Sequence, residues 1–254
     1  MSPDKLKTAV SWADPERVLV RGYRLRDLIG KVKFGQAVYL LLVGELPEPN
    51  VGNIVEAILV AVVDHGPAAP GARTARIVAS SGAGLSSAVA AGVLAITRYH
   101  GGAIEDAMTV LDETVGMGLD PYEAATEIVG RYRTRGLRVA GIGSRTHRED
   151  PRVVRLLSYA REQGLNGPYL DQLQFLRKAV SQTSNRQLPI NIDGAIAALL
   201  CEIKFPKQAA NGLFLISRMA GLVAHAVEEQ RRYRPLESLD AEGIAYDGPT
   251  EREL

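Results

Sequence analysis

The sequence predicts an all-α protein. Three observations carry that prediction: apolar residues recur at helical spacing along most of the chain, strand-like alternation is scarce, and Pro and Gly stand where helices would start and stop. In order, Ile54, Ile58, Leu59 and Val62 lie on one helical face, and their run closes at His65-Gly66-Pro67. A second helix is expected over 85–99, stopped by Gly101-Gly102, and a third over 103–115. Pro121 opens a fourth, reaching Tyr132, and Pro151 a fifth, reaching Gln163. Helices over 171–180 and 194–203 follow, and the longest run is 208–232. Only 138–142 and short pieces near 18–20 look strand-like.

Composition narrows the function classes. A chain of 254 residues allows one large domain or two modest ones at roughly 100–200 residues each. Lys and Arg number 30 against 29 acids, a net charge of +1, without the basic excess of a dedicated nucleic-acid binder. The one cysteine, Cys201, offers neither an internal disulfide nor a thiolate metal site, and its apolar surroundings mark it as a small buried hydrophobe. The N-terminus lacks an apolar secretory core, so a cytoplasmic protein is expected.

From Gln208 to Val227 the only charged residue is Arg218, and the length approaches a membrane span. A central arginine costs at least ~2.5 kcal/mol in lipid, so the run reads as a core helix and no membrane is expected. On it Leu213, Ile216, Ala220, Val223 and Val227 form one stripe. Asn211, Phe214, Arg218, Gly221 and His225 form another. Arg218 has no acid within a helical turn, so it needs a carboxylate from elsewhere in the fold or from a ligand.

Charge is uneven. Between Arg131 and Arg161 stand nine Arg, no Lys, and only Glu149 and Asp150 as acids. This predicts a small basic domain, 104–190, inserted in a large helical domain made of 1–103 and 191–254. The glycine-rich turn Gly141-Ile142-Gly143-Ser144-Arg145 opens a run with Arg148, Arg152 and Arg155, which reads either as a solvated basic face or as a phosphate-binding region. Asp193 precedes the apolar run 194–200, where an N-cap and a base held at a helix start are both open readings. The four histidines, His65, His100, His147 and His225, make no metal-ligand pattern, and no metal is expected.

Taken in order, these segments resemble the citrate synthase superfamily, nearest to its citryl-CoA lyase module. The carrying stretches are 21–30 (RGYRLRDLIG), 39–47 (YLLLVGELP), 64–72 (DHGPAAPGA) and 100–103 (HGGA). They continue with 141–145 (GIGSR), 150–152 (DPR), 191–194 (NIDG) and 217–221 (SRMAG) with His225. The resemblance implies an all-helical homodimer with its active site between a large and a small mobile domain. It implies carbon–carbon chemistry between an acyl-CoA and a 2-oxo acid, with coenzyme A as substrate or product.

Residue by residue, Asp193 matches the base at the acetyl methyl carbon, and His100 the group that hydrogen-bonds the thioester oxygen of the enol. His65, Arg218 and a partner-supplied Arg234 match the groups that hold the oxo acid's carboxylates. Arg145, Arg148 and Arg152 match the region that meets CoA and substrate. Ser144 stands where the family reads His in Gly-His-Arg; it can donate a hydrogen bond but cannot become cationic, and His147 lies three residues on. His100 is a condensing-enzyme signature. The expected activity is therefore cleavage of citryl-CoA to acetyl-CoA and oxaloacetate, with acyl-CoA condensation or a weakened CoA-binding paralogue as alternatives.

Overall fold

The computed structural model describes residues 7–97, 100–144, 147–236, 248 and 250. It opens with a three-stranded antiparallel meander, β1 (Ser11–Ala13), β2 (Val18–Val20) and β3 (Tyr23–Arg24). Trp12 pairs with Leu19, and Val20 with Tyr23. Arg21 and Gly22, at φ 48° and 86°, make the tight turn between β2 and β3, which needs two left-handed residues. The Arg21 guanidinium then donates to the Leu41 carbonyl at 2.7 and 3.1 Å, which fastens the meander to the next helix but one.

Helices follow: α1 (Leu25–Leu28), α2 (Phe34–Val43), α3 (Pro49–Ala61), α4 (Pro70–Ser80), α5 (Leu85–Leu94), α6 (Ala103–Val115) and α7 (Pro121–Thr134). Next come α8 (Pro151–Glu162), α9 (Pro168–Ser184), α10 (Ile192–Glu202) and, after a single 3-10 turn, α11 (Ala210–Arg232). Proline opens α3, α4, α7, α8 and α9, where its missing N–H costs nothing. Helix α4 was not expected. Its buried face is Ala72, Ala75 and Ala79, too small to stand out as an apolar stripe. The strand expected at 138–142 is a turn with one isolated bridge, Ile142 to Ile190, and the expected strand near 18–20 is β2. Helix α5 ends at Leu94, short of the expected 99.

The contacts divide the chain into two compact units, Met1–Asp64 with Ile96–Arg218, and His65–Ala95 with Met219–Leu254. The first holds one continuous core, drawn from α3 (Ile54, Ile58), α6 (Ile104, Leu111), α9 (Leu173, Leu176) and α10. Residues 194–201 of α10 are all buried, as befits a helix that is apolar all round.

In the second unit α4 and α5 pack through small residues. A Cβ on Gly92 would come within 2.9 Å of the Gly71 carbonyl oxygen, so the close approach requires glycine.

The stretch Lys207–Arg232 has the length and hydropathy of a membrane span, with 44% of its apolar window buried in the protein. Its buried face differs from the expected stripe. Leu213, Phe214, Ser217, Arg218, Leu222, Ala226 and Glu229 are buried, whereas Ala220 and Val223 are exposed. The polar members turn inward because each finds a partner there: Ser217 Oγ donates to the Leu59 carbonyl, and Arg218 Nε donates to the Val62 carbonyl at 3.0 Å.

Candidate active site

The site is built on the N-terminus of α10. Asn191 is the N-cap: its side-chain oxygen accepts the Gly194 N–H at 3.0 Å, so the capping role open to Asp193 is filled two residues earlier. Asn191 also binds the glycine-rich turn. Its backbone N–H donates to the Gly141 carbonyl at 3.1 Å and its Nδ2 to the Gly143 carbonyl at 2.9 Å, while Gly143 N donates to the Pro189 carbonyl at 2.7 Å. A Cβ on Gly141, at φ 86°, would lie 2.8 Å from the Gly194 Cα, and a Cβ on Gly194 would strike the Gly141 carbonyl. The two glycines let the turn that carries Ser144 lie directly on the helix start that carries Asp193.

Asp193 is half-buried by surface area, yet burial of its carboxylate pushes its pKa up to about 6. Arg152 and Arg218 oppose the rise by attraction, and Asp150 adds to it. No hydrogen bond or ion pair reaches this carboxylate among the described residues. Arg218 is 3% exposed, and burial pushes its pKa down while Asp64 and Asp193 favour its charge. The carboxylates that favour its charge thus come from just beyond α3 and from the start of α10. Its guanidinium also lies 4.5 Å from the Phe214 ring centroid, one helical turn back.

Phe214 ties His100 to the same cluster. The two rings are 5.9 Å apart and meet edge to face at 84°. Gly101, at φ 81°, makes this possible, since a Cβ there would press into the Phe214 ring. The His100 N–H donates to the Thr97 carbonyl at 2.8 Å, which fixes the backbone behind the imidazole.

Arg152 sits at the start of α8, clasped by Asp150. Nε donates to Oδ1 at 3.0 Å and a terminal nitrogen to Oδ2 at 2.6 Å, and Asp150 caps α8 by accepting the Arg152 N–H at 3.0 Å. Asp150 is 3% exposed, and its contacts with Arg152 hold its carboxyl below the usual range although burial, the largest single influence, pushes the other way. Arg152 therefore acts on Asp193, while Arg148 is exposed in the preceding turn. Arg145 lies outside the described residues. Ser144 is exposed, and its Oγ accepts the His147 N–H at 3.0 Å.

His65 and Arg234 belong to the second unit, where both are exposed.

Ser144 also lines a cavity of about 690 Å³ in the first unit, walled by α7, α9 and the glycine turn. Arg133, Arg138 and Arg186 line it too, and none has an acidic partner among the described residues. Sequence reasoning missed these three, together with Asp64, Asp150 and Phe214. The four-residue step from Phe214 to Arg218 and the Asp-Pro-Arg spacing at the start of α8 were the available signals.

The family model for the citrate synthase C-terminal domain matches residues 47–236. The structure of citryl-CoA lyase from Hydrogenobacter thermophilus superposes with a TM-score of 0.91 at 39% identity, over 98% of this chain and 97% of that one. ATP citrate lyase from Methanosaeta concilii, solved with (3S)-citryl-CoA, matches with a TM-score of 0.84 at 28% identity, over 99% of this chain and 43% of its own. ATP-citrate synthase beta chain protein 1 of Arabidopsis thaliana is 29% identical over 248 residues. The chain spans 38% of the length of that relative.

Proposed function

The chain belongs to the citrate synthase family, and on that premise we propose that it cleaves citryl-CoA, or a close homologue, to acetyl-CoA and oxaloacetate. The observation that carries this reading is Asp193, an acid with no bonded partner among the described residues, whose pKa burial raises to about 6 against the opposing field of two arginines. A group with a pKa of about 6 can both give and take a proton near neutral pH.

In the cleavage direction protonated Asp193 delivers its proton to the carbon that becomes the acetyl methyl. The electron pair of the breaking carbon–carbon bond passes first into the thioester, as an enol whose oxygen His100 stabilises by a hydrogen bond. The proton of the tertiary alcohol passes to the imidazole of His147, on the side of Ser144, as the ketone forms. Arg218, with Nε spent on the Val62 carbonyl, keeps its two terminal nitrogens for a substrate carboxylate. Arg152, steadied by Asp150, supplies a second cation at the oxo-acid end, and His65 and Arg234 complete its recognition.

Coenzyme A is the proposed carrier of the acyl group. The cavity with Arg133, Arg138 and Arg186 supports this reading, because three arginines without acidic partners among the described residues suit a ligand bearing several phosphates. The working form is a homodimer in which Arg234 reaches into the partner's site. The second unit supports it by exposing Ile77, Leu94, Met219 and Val223. Residues 104–190 are proposed to move as the small domain.

The test is to mix the purified protein with citryl-CoA and follow oxaloacetate by a coupled dehydrogenase. Oxaloacetate appearing with acetyl-CoA is the expected result. Citrate and free CoA without oxaloacetate would mark a condensing enzyme, which hydrolyses the thioester in its forward direction, and neither product from folded protein would leave another oxo acid or a binding role.

A further inference from the structure

Arg234 is the first residue but one beyond α11, and its neighbours on both sides are tied to a single face of α4. Before it, the Tyr233 N–H donates to the Glu229 carbonyl at 3.2 Å, and the Tyr233 ring lies 5.3 Å from the Arg76 guanidinium. Arg76 is itself anchored, with Nε donating to Glu229 Oε2 at 2.7 Å, and the Glu229 side chain is fully buried. After it, the Leu236 N–H donates to both the carbonyl and the hydroxyl oxygen of Ser80, at 3.2 and 2.8 Å. Arg76 and Ser80 stand four residues apart, one helical turn, on the same side of α4. Only Arg234 and Pro235 lie between the two ties, and the proline ring restricts the backbone further.

We propose that Arg76, Ser80, Glu229 and Tyr233 form a clamp that positions Arg234 for the carboxylate it holds. The proposal rests on the lyase reading above for what Arg234 does, and adds which residues aim it. A long arginine side chain on an ordered backbone loses less freedom on binding than one on a loose tail, so the clamp acts through affinity. These four are positioning residues. None needs to touch substrate.

The experiment compares Tyr233→Leu, Tyr233→Phe and Ser80→Ala in the full chain, each alone and combined with Arg234→Ala. Tyr233→Leu and Ser80→Ala are expected to raise KM for citryl-CoA roughly 5- to 30-fold with kcat nearly constant, while Tyr233→Phe, which keeps the ring, stays near wild type. In the Arg234→Ala background neither adds a further rise. Hydrogen exchange at the Leu236 amide, read without substrate, is expected to quicken in Tyr233→Leu and Ser80→Ala. A KM rise that persists undiminished in the Arg234→Ala background overturns the clamp, as does unchanged exchange at Leu236 or a Tyr233→Phe variant as poor as Tyr233→Leu. A folded wild-type chain that is inert towards citryl-CoA sinks the lyase reading instead, and the exchange measurement keeps the two failures apart.

Discussion

Two buried acids divide the work of charge in this molecule. Glu229, on the last turns of α11, has a direct ion pair with Arg76 at 2.7 Å, and its side chain is closed to solvent. Asp193, in the first turn of α10, has two arginines in its field and none in contact among the described residues, and burial holds its pKa at about 6. The difference lies in how each cation is used. Arg76 is committed to its acid, whereas Arg152 is committed to Asp150, and Arg218 to the Val62 carbonyl and the Phe214 ring. A buried carboxylate with its own partner holds helices together. One whose neighbours are engaged elsewhere stays ready to exchange a proton.

Substitution at each acid's neighbourhood sharpens the contrast, and the largest effect is expected on catalysis. Asp193→Asn keeps shape and removes the proton exchange, so cleavage of citryl-CoA should fall by about 10²- to 10⁴-fold with CoA binding nearly intact, measured by coupled assay and by calorimetry. A loss of only a few-fold would move the proton transfer to another group.

Arg76→Ala strands a buried charge and should cost about 3–5 kcal/mol in denaturant unfolding. If Arg76→Ala and Arg76→Ala combined with Glu229→Leu are equally unstable, the stranded charge is not the cause.

Next in size is the stability of Asp193→Asn. Asp193 has a folded pKa of about 6, above the ordinary 3.8, so the stability linked to its protonated form is fully present below pH 3.8 and is lost as pH rises through 6. The asparagine does not titrate, so the variant should gain on wild type across that window and lead by about 3 kcal/mol above it. Parallel pH–stability curves would refute the assignment. The same titration has opposite consequences for the two reaction directions. Cleavage starts from protonated Asp193, so kcat/KM for citryl-CoA should fall as pH rises through about 6, whereas condensation starts from the carboxylate and should rise.

The smallest of these effects is structural: Gly141→Ala forces a Cβ to 2.8 Å from the Gly194 Cα at a positive φ and should cost roughly 1–3 kcal/mol, with activity impaired in the folded fraction.

Much of this architecture was legible from residue order alone. The α3 face, the proline starts at 121 and 151 and the buried Arg218 follow from spacing and from the expense of an unpaired cation. The short motifs placed Asp193 at the start of α10 and His100 before a pair of glycines, while the fit of Gly101 against the Phe214 ring appears only in the fold. What escaped depended on long-range partners. The apolar stripe on α11 was misplaced because Ser217 and Arg218 are polar by type, and their burial depends on the distant Leu59 and Val62 carbonyls. Helix α4 hid behind alanines. The proximity of Asp64 to Arg218 appears only in the fold, and the strand-like run 138–142 ends in a turn whose Gly141 and Gly143 bond to Asn191 and Pro189 rather than in a sheet.

The contact of Gly141 with Gly194 has a consequence for how this protein can change. A side chain in a packed core can usually grow if its neighbour shrinks, so pairs of positions drift together. Here each added carbon would collide with the other residue's main chain, which has nothing left to give up. No second-site change at the facing position can rescue the first. Saturating both codons at once and selecting for function should return the parental pair, and lineages descended from this protein inherit a fixed point in sequence space beside their reactive acid.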